Sequence, residues 1–217
     1  MLFTPKGYVT PVKDQRQCVS SWAFSATGAV EGAHFRATGN LVSLSEQNLM
    51  DCVHPFEDGC DGGSTTDAFR YVLQNGIMSE IDYHYKARDS GFGVCNFASE
   101  ETAATIDNFN VVGYQNELAL QNDVANMGPV SVAIDASRPS FQLYHEGVYS
   151  DLECSSDDVN HDMLAVGYGT AADGKDYWLV KNSWGETWGM EGYMMMARNQ
   201  DNMCGIATDA SYPTAAA

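Results

Sequence analysis

Basic residues are scarce in this chain of 217 residues. It contains 11 Lys and Arg against 29 Asp and Glu, which gives a formal net charge of −18 and a calculated pI near 4.3. Such a surface repels the phosphates of nucleic acids and of anionic membranes, so we expect neither as a partner. The same repulsion keeps copies apart and favours a soluble monomer. Adaptation to acidic surroundings is a second interpretation of the charge.

Long apolar runs are missing as well. No stretch approaches the roughly 20 apolar residues that a membrane-spanning helix needs, and the first five residues show no basic group or apolar run of a secretory leader. Cys-x-x-Cys pairs and Cys/His sets at zinc-ligand spacing are also absent from the sequence. We therefore expect no metal site.

The cysteines are even in number and widely spaced. Six of them in a chain of this kind predict three disulfides and an oxidising compartment, with 15 pairings possible from sequence alone. If all six are paired, no free thiol remains. The cysteines are Cys18, Cys52, Cys60, Cys95, Cys154 and Cys204.

The front half of the chain has helical periodicity. Apolar residues at helical spacing predict a buried helix over residues 21–38, which Gly39 ends. The order Ser43-Leu44-Ser45-Glu46 predicts a capping box for a second helix through Met50. A third helix is expected from Thr66 to Gln74.

From about residue 105 the pattern changes to short apolar or alternating runs that are typical of strands. One helix is expected at Glu117–Asn126. Helices at the front and strands at the back predict an α+β fold with two lobes. The predicted strands are Val130–Ile134, Met163–Val166, Tyr177–Lys181 and Tyr193–Ala197.

The segment 15–25 has the order Gln-Arg-Gln-Cys-Val-Ser-Ser-Trp-Ala-Phe-Ser. It resembles the stretch around the nucleophile of papain-family cysteine peptidases, whose pattern is C-G-[SA]-C-[WY]. In that pattern the second cysteine opens a buried helix, whose N-terminus lowers the pKa of the thiol. Ser21 stands at that position here. Cys18 matches the first cysteine, and Gln15 matches the glutamine that helps to bind the oxyanion.

Two later segments extend the resemblance. Residues 159–169 are similar to the segment that carries the catalytic histidine, here His161, and residues 177–185 to the one that carries the orienting Asn182. The histidine follows Ser21 at a spacing inside the family range of roughly 130–150 residues, and the asparagine lies a little beyond it. The resemblance spans residues 7–214. The segments that point to cathepsin L-like members are 44–49, 59–63 and 204–207.

The resemblance implies a papain-like fold. We expect one domain over residues 1–217, with a helical left lobe at about 12–105, a β-rich, barrel-like right lobe at about 106–214, and the active-site cleft between them. Peptide or protein substrates, a pro-segment and protein inhibitors are the implied partners. No cofactor is implied, and a lysosomal or extracellular location is. The implied disulfides are Cys18–Cys60, Cys52–Cys95 and Cys154–Cys204.

The resemblance also implies a role for each site residue. Ser21 and His161 face each other, Asn182 orients the imidazole, Trp184 shields that hydrogen bond, and Gln15 contributes to the oxyanion hole. Taken singly, each residue is more simply explained as packing, a turn or a surface side chain; their shared order favours the functional interpretation. The expected substrate-binding residues are Gly62, Gly63, Ser64, Thr65, Ala133, Asp162, Trp184 and Asp209.

Several of these positions depart from the family pattern. Val19 and Arg16 replace glycines, and Asp162 follows the histidine where the family has a small residue. Asp162 and Asp209 lie where relatives have a usually apolar S2 pocket, so we expect Arg or Lys to be accepted there at least as well as Leu. The alternative is that both aspartates point to solvent. A divergent paralogue and a deliberate cysteine-to-serine change both fit this sequence.

The serine at position 21 has the largest functional consequence. A papain-type thiol forms an ion pair with its histidine before substrate arrives, whereas a hydroxyl must lose its proton during attack. We therefore expect a cathepsin L-like endopeptidase scaffold with very low or no peptidase activity. A non-catalytic binding or storage protein is one alternative. A silicatein-like Ser/His protein is another, although silicateins have tyrosine where this chain has Trp22.

Overall fold

The computed structural model describes residues 2, 6–53, 59–90 and 94–216. The helices in this part of the chain are α1 (Ser21–Thr38), α2 (Glu46–Cys52), α3 (Thr65–Asn75), α4 (Glu117–Asn126) and α5 (Pro139–Gln142). The strands are β1 (Ile77–Met78), β2 (Thr102–Ala104), β3 (Asn108–Val111), β4 (Val130–Ile134), β5 (Val148–Tyr149), β6 (His161–Thr170), β7 (Asp176–Lys181), β8 (Tyr193–Ala197) and β9 (Ala210–Thr214). Short 3-10 turns lie at Ser99–Glu101 and Met203–Gly205.

Helix α1 is buried between the two halves of the molecule. Its bounds agree with the predicted 21–38, and it ends at Gly39, whose backbone is left-handed (φ 76°) and whose N–H donates to Phe35 O. A Cβ at Gly28 would lie 2.7 Å from Leu164 Cδ2, so glycine at this position lets strand β6 pack closely against the helix. The helix thereby carries its N-terminus into the junction of the lobes.

The predicted capping box of helix α2 is wrong. Ser45, not Ser43, is the N-cap, and its Oγ accepts a hydrogen bond from Asn48 N–H at 2.9 Å. The side chain of Glu46 is buried and bound by Lys13, so it does not reach back to cap the helix. A tertiary ion pair has replaced the local contact that the sequence pattern predicted.

The strands form a seven-stranded sheet in the order β3-β9-β4-β6-β7-β8-β5, and β1 pairs with β2 separately. Strand β6 lies at the centre and pairs antiparallel with β4 and β7. It begins at His161, two residues before the predicted strand. In this register Ala133 lies opposite Asp162 and Ile134 opposite His161.

Two hydrophobic cores confirm the expected two-lobed α+β fold. One lies within the sheet lobe and contains Trp178 and Met196 among its fully buried residues. The other surrounds α1, α2 and α3. Strand β6 contributes Leu164 and Val166 to this helical core, which places the contact between the lobes along β6. The expected boundary at residues 105/106 stays a prediction.

A buried ionic cluster joins the lobes. Lys13 Nζ lies 3.2 Å from Glu31 Oε1 and 2.6 Å from Glu46 Oε1. Thr10 Oγ1 donates to Glu31 at 2.6 Å, and Lys181 Nζ at the end of β7 donates to Thr10 O at 2.9 Å. The cluster therefore connects the N-terminal segment, α1, α2 and β7.

Burial and charge shift the titration of this cluster. Burial acts to lower the pKa of Lys13, but the Glu31 and Glu46 carboxylates outweigh it and raise that pKa. Burial raises the pKa of Glu46 and lowers that of Lys181 to about 8. The charges are therefore stable only as a group, since each is costly to bury alone.

The three disulfides are those expected: Cys18–Cys60, Cys52–Cys95 and Cys154–Cys204. The first two cross-link segments of the helical lobe, and Cys154–Cys204 lies in the sheet lobe. Among the described residues, no three His, Cys, Asp or Glu side chains are grouped so as to hold a metal ion. Within the same residues, no helix has the length and apolar character needed to cross a membrane.

Replacing Glu31 with glutamine should lower the free energy of unfolding by about 3–5 kcal/mol, because the change leaves Lys13 buried with one carboxylate fewer. Urea unfolding followed by tryptophan fluorescence measures it. Glu146→Gln, at an exposed glutamate, is the matched control and should change the value by at most about 0.5 kcal/mol. Equal effects of the two changes would contradict a stabilising role of the cluster.

Candidate active site

A pocket of about 300 Å³ lies where the N-terminus of α1 meets the start of β6. It brings together most of the residues that the sequence predicts for the site. The predicted residues that line it are Ser21, Gly62, Gly63, Ser64, Thr65, Ala133, His161, Asp162 and Asp209. Val19, Trp22, Asp61, Val159 and Asn160 complete the lining.

Ser21 is the first residue of α1 and is only 3% exposed. The preceding N-cap residue, Ser20, makes no side-chain cap, because its Oγ lies 2.8 Å from the hydroxyl of Tyr85. The amide donors and the positive end of the helix dipole therefore face the pocket. Ser21 Oγ accepts a hydrogen bond from the backbone N–H of Asp162 at 3.2 Å.

His161 is oriented by Asn182. Its Nε2 lies 2.8 Å from Asn182 Oδ1, which also accepts from the backbone N–H of Ser183 at 2.8 Å. An oxygen that accepts from a backbone amide is the acceptor for the ring as well, so Nε2 carries the proton and Nδ1 is left basic. Trp184 packs against the imidazole with ring centroids 4.9 Å apart.

The imidazole is held in its neutral form. Burial lowers the pKa of His161 to about 4, and the hydrogen bond to Asn182 only partly offsets this. A second aromatic ring lies beside the imidazole, since Phe141 is edge-on to it with the ring centroids 6.1 Å apart. In a cleft without an adjacent thiolate, His161 is therefore a weak base and not a preformed cation.

Gln15 is fixed beside the pocket by hydrogen bonds from its backbone and its side chain. Its backbone N–H donates to Ser183 O at 2.8 Å, and its Oε1 accepts from Ser183 Oγ at 2.6 Å. Its Nε2 donates to Cys18 O at 2.8 Å, in the loop that leads to Ser21. Sequence reasoning missed Ser183, although it directly follows Asn182 in the motif. It also missed Tyr85.

Backbone geometry accounts for glycine at one wall of the pocket. A Cβ at Gly63 would lie 2.3 Å from the Trp22 ring. Only glycine therefore lets the backbone at this position approach the start of α1. Beyond it, Thr65 Oγ1 lies 3.4 Å from the hydroxyl of Ser211. Val19 also lines the pocket, and this residue is 53% exposed.

Arg16 occupies a conformation that favours glycine. Its φ is 56°, in the left-handed region, and its N–H donates to Asp14 Oδ1 at 2.8 Å. This geometry explains why the family pattern has glycine there, and it leaves the path of the loop to Ser21 intact.

Two carboxylates, those of Asp162 and Asp209, line the pocket together. Asp162 is half-buried and Asp209 is exposed at the rim. Burial and the neighbouring Asp209 charge raise the pKa of Asp162 to about 7, and the Ser21 hydroxyl opposes them. The pocket lining includes no Lys or Arg to neutralise the pair. An acidic pocket of this kind favours a cationic group.

Comparison with known proteins agrees with this geometry. Residues 3–214 match the model of the papain family cysteine proteases. The chain is 55% identical over 210 residues to a cathepsin L-like peptidase of Aedes aegypti. The aligned region covers 96% of this chain and 61% of the relative. It is 52% identical over 213 residues to cathepsin L2 of Homo sapiens, and this alignment covers 96% of the chain and 63% of cathepsin L2. It thus spans less than two thirds of these relatives.

Solved structures give the same result. Digestive procathepsin L 3 from the larval midgut of Tenebrio molitor superposes with a TM-score of 0.91 at 45% identity, covering 98% of this chain and 68% of that one. Bromelain from Ananas comosus in complex with the E64 inhibitor superposes with a TM-score of 0.90 at 37% identity. The superposition covers 99% of this chain and 98% of the bromelain chain. The chain belongs to the papain family of cysteine proteases. Within that family it is cathepsin L-like.

Asp162→Asn should stabilise the fold more at about pH 8 than at about pH 4. A folded-state pKa above the ordinary value near 3.9 means that the folded chain binds this proton more tightly, so stability from Asp162 is lost as the pH rises towards 7. Asparagine removes that loss. We expect the advantage of the variant to grow by about 1–3 kcal/mol over this range, measured by urea unfolding.

The matched control is Asp158→Asn, at an exposed aspartate. Its stability difference from the parent should change little with pH. If the curves for Asp162→Asn and the parent stay parallel, Asp162 is not held protonated near neutrality.

Proposed function

We propose that this chain is an endopeptidase scaffold in which Ser21 occupies the position of the nucleophile, so that peptide-bond hydrolysis is very slow or absent. One observation carries the proposal. Ser21 begins a buried helix and shares a pocket with His161, whose Nε2 is held by Asn182. Cysteine-type chemistry needs a thiolate at the first of these positions, and the chain has a hydroxyl there.

The remaining parts of the site would support acyl chemistry. Ser21 N–H at the helix N-terminus and Gln15 Nε2 would bind the oxyanion, and Trp184 would shield the pair formed by His161 and Asn182. A serine hydroxyl gains little from these parts, because it stays protonated until a base removes its proton during attack. Loss of a reactive group in such a unit costs about 10⁴–10⁶ in rate.

The proposed ligands are peptides and protein segments that lie along the cleft. Relatives include proteins described as procathepsins and a bromelain bound to an inhibitor, which supports a pro-segment, a substrate or an inhibitor in this cleft. The strongly acidic surface supports a monomer that avoids nucleic acid and anionic membrane. Disulfides support a lysosomal or extracellular location.

A non-catalytic binding protein is the second candidate function. It is favoured by Val19, an exposed apolar residue that lines the pocket with Ser21, and by Asp162, which adds a charge to the same pocket. A silicatein-like role has no comparable support, because Trp22 stands where silicateins have tyrosine.

Ser21→Cys should raise peptide turnover by about 10⁴–10⁶-fold, because it supplies the thiol for which the surrounding groups are arranged. Hydrolysis of a fluorogenic dipeptide amide near about pH 5.5 measures the change. Ser21→Ala is the matched control and should be silent. A folded but silent cysteine variant would refute the endopeptidase scaffold and leave the binding protein.

P2 is the substrate residue that precedes P1, the residue on the N-terminal side of the scissile bond. The Ser21→Cys form should accept Arg or Lys at P2 at least as readily as Leu. The Asp162 and Asp209 carboxylates would pair with a cation and would be left unpaired by a leucine. Because the pKa of Asp162 is about 7, the preference for Arg should increase as the pH rises through neutrality.

The measurement is kcat/KM for paired peptides that differ only in Arg or Leu at P2. Asp209→Ala should reduce the ratio of Arg to Leu, and Asp158→Ala, at an exposed aspartate outside the pocket lining, should not. A strong leucine preference at about pH 8 that Asp209→Ala leaves unchanged would show that these carboxylates do not select the substrate.

A further inference from the structure

The hydroxyl of Ser21 contacts Asp162. Its Oγ accepts from Asp162 N–H at 3.2 Å and lies in the same pocket as the Asp162 side chain. The hydroxyl favours the charged form of that carboxylate and so opposes the effect of burial on its pKa. A hydroxyl has one proton and two lone pairs, so one residue can hold the oxygen and accept its proton. The recorded hydrogen bond of His161, by contrast, runs to Asn182 on the side away from the basic nitrogen.

The surroundings of Asp162 make its carboxylate basic. On the cleft side the ionisable residues that share its pocket are Asp61, His161 and Asp209. On the interior side a small cavity brings it near the buried cluster, whose charged members are Lys13, Glu31, Glu46 and Lys181. Those two lysines are bound by carboxylates and backbone oxygens within the cluster, so the nearest electrostatic effect on Asp162 is the repulsion from Asp209.

We propose that Asp162, not His161, is the general base for Ser21, and that the pair makes this chain a slow serine-type acyl hydrolase of esters and peptide esters. The inference rests on the proposed position of Ser21 in the cleft. It assigns the residual chemistry to a serine and a carboxylate, where the papain family uses a cysteine and an imidazole.

The ester and water are the only reactants that the reaction needs. Ser21 Oγ attacks the ester carbonyl and gives its proton to the Asp162 carboxylate while the C–Oγ bond forms. The bond to the alcohol then breaks, and the alcohol leaves with the proton from Asp162. Water attacks the acyl-serine, gives a proton to Asp162, and the carboxylic acid leaves as Ser21 regains its proton.

Base strength supports the assignment. A general base is most effective when its pKa is close to the working pH. The pKa of Asp162 is raised to about 7, and that of His161 is lowered to about 4. The Asp162 N–H and the N-terminus of α1 would stabilise the negative charge that develops on Ser21 Oγ.

The test measures the rate at which a fluorophosphonate probe labels Ser21 across pH 4–9, with the labelled peptide identified by mass spectrometry. Such probes form a bond to a serine Oγ and release fluoride. In the parent chain we expect a rate that rises with pH and levels off with a midpoint near 7. Asp162→Asn should lower it at least about 100-fold, and His161→Gln by less than about 10-fold.

Two further variants separate base catalysis from a structural effect. Asp209→Asn should move the midpoint to lower pH, because it removes the charge that opposes ionisation of Asp162. Asp162→Gly, which restores the small residue of the family pattern, should be as slow as Asp162→Asn. Thermal unfolding shows which variants are folded, and either folded Asp162 variant is sufficient for the test.

Two results would overturn the inference. One is a parent chain that is labelled no faster than Ser21→Ala. The other is labelling that His161→Gln abolishes and the Asp162 variants leave intact. Neither result affects the Ser21→Cys experiment, which tests the peptidase scaffold by thiol chemistry, so failure of the inference and failure of the proposed function are distinguishable.

Discussion

The buried ionic cluster around Lys13 is the interaction on which the rest of the structure depends. It binds the N-terminal segment to α1 and α2 through Glu31 and Glu46, and Lys181 joins it from the end of β7. The residues that follow the two lysines belong to the site: Asp14 and Gln15 pair with 183–184, and Asn182 follows Lys181 directly. Charges that are expensive to bury singly thus fix the register between the two lobes.

The site combines a well-ordered framework with a weak reactive group. Helix α1 presents its N-terminus, and Asn182, Ser183 and Gln15 hold one another through short hydrogen bonds. In a thiol enzyme this framework would stabilise an ion pair. With serine at position 21 the imidazole has no anion to face, so burial alone determines that it stays neutral, and Asp162 becomes the most basic group within reach of the hydroxyl.

Sequence patterns predicted the parts of the fold that local physics determines. Helices α1 and α4 and strand β4 have the predicted bounds, because their apolar periodicity and their end signals agree. The two-residue strands β1 and β5 were not predicted, since such short pairings leave no period to detect. The capping box failed because Lys13, 33 residues before Glu46, competes for that side chain. The predicted disulfides and the pocket residues came from family resemblance, whereas the contact of Ser21 with Asp162 depends on how the two lobes meet.

The pairing of all six cysteines changes what the cleft can withstand. A papain-type thiolate is the first group that peroxide converts to sulfenic and then sulfinic acid, and the group that soft electrophiles alkylate. This chain has an alcohol at that position, and because all six cysteines are paired it has no free thiol. Its pocket would keep the same shape and charge in an oxidising fluid that inactivates relatives by oxidising their catalytic thiol. Persistence, and not speed, is the property that the serine confers.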